Sequence, residues 1–419
     1  MFKKSRSFLH IFLCCFFSAG VLFSNAGTSL VSAEAANEED YEVPSTEENP
    51  HTAYYDQAAD TNSIEGWPAG PNIEGQAAVL MDVNTGAVLY SKNADTELYP
   101  ASITKIMTTL LACENLNRKE KLVVSEAAAY GIEAGSSSIY ADTDEEFIID
   151  QALMAVMLES ANEMSLAVAE RVSGSVKKFV ELMNQRARSI GCTHTHFNNP
   201  NGLTDENHYT SASDMAKIAR TAWSNPMFVR YCTRDIYEIP PTNKQPETRY
   251  LLNHHKMMKG RDYAYNGVLG GKTGYTVAAG NTLVTYAKRN HLTLVAVVLN
   301  SIGGAYSDTA ALLDYGFNNF ELVAVNTSSD ISTPGSIPGQ EYILENSGSI
   351  TPLEYRSKTY VTLPVGTDSG TLTTQRTHLF NAVGPSRIRV SYYLGDTCVG
   401  YGMQYEKEVL SNLLQDSTL

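Results

Sequence analysis

The chain has 419 residues, 43% of them hydrophobic and 18% charged, with a formal net charge of −15. That is a globular balance with enough apolar residues for one large domain, or for a medium domain plus a small one. It offers no basic patch of the kind nucleic-acid binding requires.

Residues 1–35 read as a secretory signal peptide. Lys3, Lys4 and Arg6 open it, an apolar run follows from Phe8 to Phe23, and small residues permit cleavage after Ala26, Ala33 or Ala35. The alternative, an uncleaved anchor, fits less well because the run is short for a membrane span. Residues 34–70 carry ten acidic side chains and no Lys or Arg. Residues 36–71 are therefore expected to form an acidic flexible linker, ending in Trp67-Pro68-Ala69-Gly70-Pro71.

From residue 72 the pattern tightens. Strands are expected at 77–82 and 87–91 around Asn84-Thr85-Gly86. Pro100 opens a helix whose Ile103, Ile106, Met107, Leu110 and Leu111 recur at helical spacing. Further helices are expected at 149–158, at 163–173 with Gly174 as the stop, and after the cap Ser175. Strands at 282–287 and 292–300 and a helix at 308–320 complete a unit over 72–328. Short alternating runs after about residue 328 predict a small all-β domain over 329–405, followed by a tail at 406–419. The order of elements predicts an α+β fold, an antiparallel sheet with flanking helices.

Of six cysteines, Cys14 and Cys15 lie in the signal; Cys113, Cys192, Cys232 and Cys398 are too scattered for a disulfide framework. No CxxC pair or HExxH helix is present, so no metal and no cofactor are expected.

Three short runs carry candidate chemistry. In Ser102-Ile103-Thr104-Lys105 the hydroxyl and the amine stand three residues apart at a helix start, so they are neighbours on its surface. A serine needs an adjacent base to attack, and Lys105 serves only if it is neutral. At a reference pKa of about 10.4 that requires desolvation and a nearby second cation. Alone, this run reads equally as an ordinary helix start. Ser160-Ala161-Asn162 lies between two helices, where Ser160 can relay a proton and Asn162 can hold a substrate amide; helix capping is the plainer role. Lys272-Thr273-Gly274-Tyr275 reads as the start of an edge strand. There Lys272 and Thr273 can bind a carboxylate and Gly274 lets a substrate backbone approach. The backbone N–H groups of Ser102 and Tyr275 can form an oxyanion hole. The plainer alternative is a glycine-rich turn.

Together and in this order, the three runs resemble the active-site triplet of the penicillin-recognising serine enzymes. Within that group the chain is similar to the low-molecular-weight penicillin-binding proteins that act as D-alanyl-D-alanine carboxypeptidases. The runs Ala77–Asp82, Tyr99–Ser102, Asn199-Pro200-Asn201-Gly202-Leu203, His208–Ala216 and Lys272–Thr276 carry the likeness across roughly residues 72–320. The resemblance implies a β-lactamase/transpeptidase-like fold with a small C-terminal β domain. It also implies Ser102 as nucleophile, Lys105 as base and Ser160 as proton relay, with Asn162, Lys272, Thr273 and Gly274 binding substrate. The implied partners are peptidoglycan stem peptides ending in D-Ala-D-Ala, with β-lactams as covalent inhibitors. The signal peptide, with a tail whose Glu406, Lys407, Glu408 and Asp416 suit an anionic membrane surface poorly, predicts a location outside the cytoplasmic membrane or at the wall.

Three positions depart from the family pattern. Leu269 stands where Asp is usual, Glu163-Met164 where Asp-Ala is usual, and Asp144 where Gly is frequent. Two alternative readings fit less well. A serine β-lactamase needs a deacylation base, but Glu181 and Asn184 are three apart inside a predicted helix and make no Glu-x-x-x-Asn loop. A wall-binding protein with a vestigial site conflicts with the intact triplet.

Overall fold

In the computed structural model, residues 52–325, 353–355, 359–379 and 387–406 are described. The expected signal peptide, the first part of the linker, the boundary at 328–329 and nearly all of the tail lie outside them.

The frame is a five-stranded antiparallel sheet of β1 (Ala77–Asp82), β2 (Val88–Lys92), β7 (Val268–Thr276), β8 (Gly280–Arg289) and β9 (Leu292–Ser301), in the order β2-β1-β9-β8-β7. Both faces are covered, which explains why β1 and β9 are apolar at nearly every position rather than alternating. Ala77, Val79 and Met81 of β1 face one core and Ala78 and Leu80 the other.

The first core holds most of the helices: α1 (Lys105–Asn115), α2 (Glu126–Tyr130), α3 (Ile149–Leu158), α4 (Asn162–Ser173), α5 (Val176–Ile190), α6 (Ala212–Trp223) and α7 (Pro226–Cys232). Helix α3 is apolar around nearly its whole circumference because it runs through the middle of this layer. Short ribbons border it, β3 (Lys121–Val123) with β4 (Glu146–Ile148) and β5 (Ile236–Ile239) with β6 (Arg249–Leu252). Gly174, at φ 76°, ends α4, and Ser175 Oγ caps α5 by accepting from Lys178 N–H. The second core lies under α8 (Ala305–Asn319), whose Leu312 and Leu313 pack on the opposite sheet face. This is the expected α+β architecture.

The segment read as a flexible linker is packed from Thr52 onward. Trp67 is buried, lies 5.1 Å from Phe320 with the two rings tilted by 56°, and donates its indole N–H to Leu89 O at 2.8 Å. Lys92, 1% exposed, donates to the carbonyls of Tyr54 at 2.6 Å and Ile73 at 2.9 Å. A few apolar anchors, Ala59, Trp67 and Ile73, suffice to order a stretch whose composition is mostly polar.

Beyond α8 the described residues are mostly strand, with one 3-10 turn at Ser369–Thr371: β10 (Phe320–Val325) pairs with β12 (Thr359–Pro364), and β11 (Leu353–Tyr355), β13 (Thr373–Leu379), β14 (Arg387–Leu394) and β15 (Thr397–Glu406) form a second sheet. Val361 and Leu363 of β12 join the apolar cluster under the main sheet, and polar contacts accompany them. Thr362 Oγ1 donates to Asp82 Oδ2 at 2.7 Å and lies 2.7 Å from Thr85 Oγ1. Arg220 donates to Val83 O, Asn84 O and the Tyr401 hydroxyl, its guanidinium 5.3 Å from the Tyr401 ring centre.

Candidate active site

Ser102 sits in a 3-10 turn, Ala101–Thr104, that leads directly into α1. The turn is pinned from outside: Thr282 Oγ1 of β8 donates to Pro100 O at 2.8 Å. Ala101 is held at φ 50°, a left-handed conformation that costs an alanine on the order of 1 kcal/mol.

Lys105 begins α1 and is fully buried. Its Nζ lies 3.0 Å from Ser102 Oγ, 2.7 Å from Asn162 Oδ1 and 2.6 Å from Asn201 O. A neutral amine has two N–H donors and one lone pair. Two of these three neighbours, Asn162 Oδ1 and Asn201 O, can only accept. The lone pair is therefore left facing the Ser102 hydroxyl. Burial, with the Lys272 charge second, pushes the Lys105 amine well below its usual range, while Glu163 opposes the shift. The environment thus favours the protonation state a base requires.

The turn at Asn199–Gly202 supplies the carbonyl partner. Asn199 Oδ1 accepts from Gly202 N–H at 2.7 Å, and Thr108 Oγ1 donates to Pro200 O at 2.6 Å. His208 fastens the turn from behind. Its Nδ1 accepts from Asn198 N–H at 2.9 Å and Asn199 N–H at 3.3 Å, so its Nε2 carries the hydrogen given to Thr104 Oγ1 at 2.8 Å. Burial, opposed by Asp205, lowers the His208 pKa to about 4, keeping that acceptor unprotonated near neutrality.

Ser160 and Asn162 flank the start of α4. Asn162 does not cap the helix: Ala161 occupies the cap position, and the Asn162 side chain turns to Lys105. Ser160 stands at φ 57°, and its buried Oγ has no hydrogen-bond partner. Lys272 and Thr273 lie on β7, which is an edge strand as expected. Lys272 is 2% exposed, and its charge acts on Lys105, His255 and Glu159. A Cβ on Gly274 would come within 2.8 Å of Ser102 N and 2.4 Å of Thr282 Oγ1, so only glycine lets β7 lie this close to the Ser102 turn. Tyr275 follows on the same strand with its side chain half exposed. The structure therefore ties Lys105 directly to Ser102 and Asn162, sets Gly274 against Ser102 N, and brings the Lys272 charge to bear on Lys105.

The chain matches the family described as D-alanyl-D-alanine carboxypeptidase over residues 65–303. The chain belongs to that family. Among its relatives, the D-alanyl-D-alanine carboxypeptidase DacF of Bacillus subtilis is 36% identical over 256 residues, covering 59% of this chain and 63% of that protein. The D-alanyl-D-alanine carboxypeptidase DacA of Haemophilus influenzae is 32% identical over 263 residues, covering 60% and 64%. The likeness thus spans less than two thirds of each relative. Among solved structures, penicillin binding protein 5 from Haemophilus influenzae gives a TM-score of 0.63 at 26% identity, covering 81% of this chain and 98% of that one. The S216A mutant of Streptomyces K15 DD-transpeptidase gives 0.56 at 29% identity, over 59% and 99%.

The three family departures have visible consequences. Asp144 is at φ 59°, a conformation glycine adopts freely and Asp tolerates. Met164 is core, and Leu269 packs against the helical layer. Glu163 is fully buried, and its Oε1 accepts from Ile139 N–H at 2.7 Å and Ala141 N–H at 3.5 Å. Asn184 is occupied in bonds to both backbone groups of Phe197, while Glu181 is exposed, so the two make no β-lactamase signature. Sequence reasoning missed three supports: the Asn201 carbonyl, the His208–Thr104 brace and the Glu163 anchor. The Asn-Pro-Asn-Gly run signals the first of these as a turn, though not its role.

Proposed function

We propose that the chain is an exported serine-type D-Ala-D-Ala carboxypeptidase that removes the terminal D-alanine from peptidoglycan stem peptides through an acyl-enzyme on Ser102. The observation that carries this reading is the Lys105 amine, buried among two acceptors and the Ser102 hydroxyl. Lys105 takes the Ser102 proton as Oγ attacks the carbonyl between the two D-alanines. The N–H groups of Ser102 and Tyr275 receive the oxyanion. The carbon–nitrogen bond then breaks, and the departing amine takes a proton by way of Ser160, whose unpartnered hydroxyl suits a relay. Water hydrolyses the ester and restores Ser102. Lys272 and Thr273 bind the terminal carboxylate, Asn162 the substrate amide, and Gly274 gives the backbone room. β-Lactams acylate the same serine.

Residues 1–35 direct export, and the enzyme works at the outer side of the membrane or at the wall. Among the described residues, no helix is long and apolar enough to cross a membrane. The catalytic unit is 72–328, with the packed stretch 52–71 docked on its sheet, and the accessory β unit is 329–405. The names of the relatives support the reaction class.

Fluorescent penicillin and a peptide ending in D-Ala-D-Ala test the proposal together. Wild type is expected to be labelled and to release D-alanine, and Ser102→Ala to do neither while melting normally. Persistent labelling of Ser102→Ala overturns the nucleophile. Rapid penicillin turnover with no D-alanine release favours a β-lactamase instead.

A further inference from the structure

Among the described residues, seven other than glycine have a positive φ: Asn93, Ala101, Tyr140, Asp144, Ser160, Asn290 and Asn300. Four are Asn or Asp, whose short polar side chains tolerate that conformation. The other three lack this excuse. Ala101 adjoins the nucleophile, and Ser160 belongs to the catalytic centre. The third is Tyr140, at φ 57°, a strained conformation uncommon for a bulky residue. Such strain persists only where the surroundings over-determine it.

The surroundings of Tyr140 do so, and they are built from the site itself. Ser137 O accepts from the backbone N–H of Asn162 at 2.9 Å. The Glu163 carboxylate clamps the amides on either side of Tyr140. Ser138 Oγ accepts from Tyr140 N–H at 2.8 Å, and Arg249, fixed by Glu145, donates to Tyr140 O at 3.3 Å. Ile139 and Ala141 turn inward and are buried, whereas Tyr140 is 87% exposed. No packing requirement of the fold explains an aromatic ring held in water by a strained, multiply anchored backbone. Three residues of chain reach at most about 11 Å, so Tyr140 lies within that distance of the Ser137–Asn162 bond. This anchoring is on the α4 wall, whereas Lys272 and Thr273 stand on β7. Two or three substrate residues upstream of the scissile bond span a similar length.

We propose that Tyr140 is a specificity-determining residue whose ring meets the peptide two or three positions before the D-Ala-D-Ala terminus. This rests on the carboxypeptidase reading above and deepens it. The test compares Tyr140→Ala and Tyr140→Phe with wild type on two substrates, a pentapeptide ending in D-Ala-D-Ala and N-acetyl-D-Ala-D-Ala, which lacks the upstream residues. The expected result for Tyr140→Ala is a fall of about tenfold in the preference for the pentapeptide, measured as the ratio of the two kcat/KM values and arising in KM. Tyr140→Phe is expected to restore most of it, because the ring rather than the hydroxyl makes the contact. Penicillin acylation on the same samples reports the catalytic centre separately. An unchanged ratio in Tyr140→Ala, or an equal KM rise on both substrates, overturns the assignment while leaving the carboxypeptidase reading intact. A wild type that neither labels nor releases D-alanine overturns both.

Discussion

The amine of Lys105 and the carbonyl of Asn201 are 2.6 Å apart, though the two residues are 96 positions apart in the chain. A backbone carbonyl cannot be mutated, but the residue after it can. Gly202 stands at φ +90°, and a Cβ there would come 1.9 Å from Ala101 O. In Gly202→Ala either the turn that carries the carbonyl or the turn that carries Ser102 must move. Displacements near 1 Å at a reacting centre cost on the order of a hundredfold. The rate of acylation by penicillin is expected to fall by about that factor, and the melting temperature to fall with it. A Gly202→Ala protein that acylates at the wild-type rate would show that this turn does not position the amine.

The pH dependence of acylation separates the charges around Lys105. The base acts when unprotonated, so the rate climbs with pH through the pKa of its amine. Lys272 lowers that pKa and Glu163 raises it. Lys272→Gln removes a repelling cation, so the Lys105 pKa rises and the acid limb moves to higher pH. Glu163→Gln removes an attracting anion, so the limb moves to lower pH. The signature is two displacements of opposite sign in the position of the limb, whatever happens to its height. Displacement in the same direction by both variants would refute Lys105 as the titrating base.

The junction with the C-terminal β unit predicts a stability effect. Thr362 and Asp82 are both fully buried, and the Thr362 hydroxyl donates to Asp82 Oδ2 while lying against Thr85 Oγ1. Thr362→Val keeps the shape and removes the donor, leaving a buried carboxylate oxygen short of a partner. A loss of about 1–3 kcal/mol is expected in denaturant unfolding followed by tryptophan fluorescence. A loss below about 0.5 kcal/mol would mean that the carboxylate finds its hydrogen bond elsewhere.

The parts of this protein that sequence reveals are those with a period or a local chemistry. Helices α3 and α4 fall where the apolar spacing and Gly174 place them, and the Ser102–Lys105 pair is legible because three residues make one turn. The Asn201 carbonyl is not, since every residue has one and only the tertiary fold decides which meets an amine. Glu163 is visible as a departure, but its task depends on two amides more than twenty residues upstream. The stretch from Thr52 to Pro71 misleads because composition averages over its length, whereas Ala59 and Trp67 order it by burying single side chains.

The sealed ammonium of Lys92 fixes how the polypeptide can be shortened. The match to the family begins at residue 65, and a truncation there is the obvious choice for a minimal catalytic fragment. It would delete Tyr54 and with it one of the two carbonyls that cap a cation only 1% exposed. The trimmed protein would have to discharge that amine or admit solvent beside β2, either of which erodes the sheet that carries Lys272. A recombinant fragment that keeps its first turn of packed chain, from Thr52, avoids the problem.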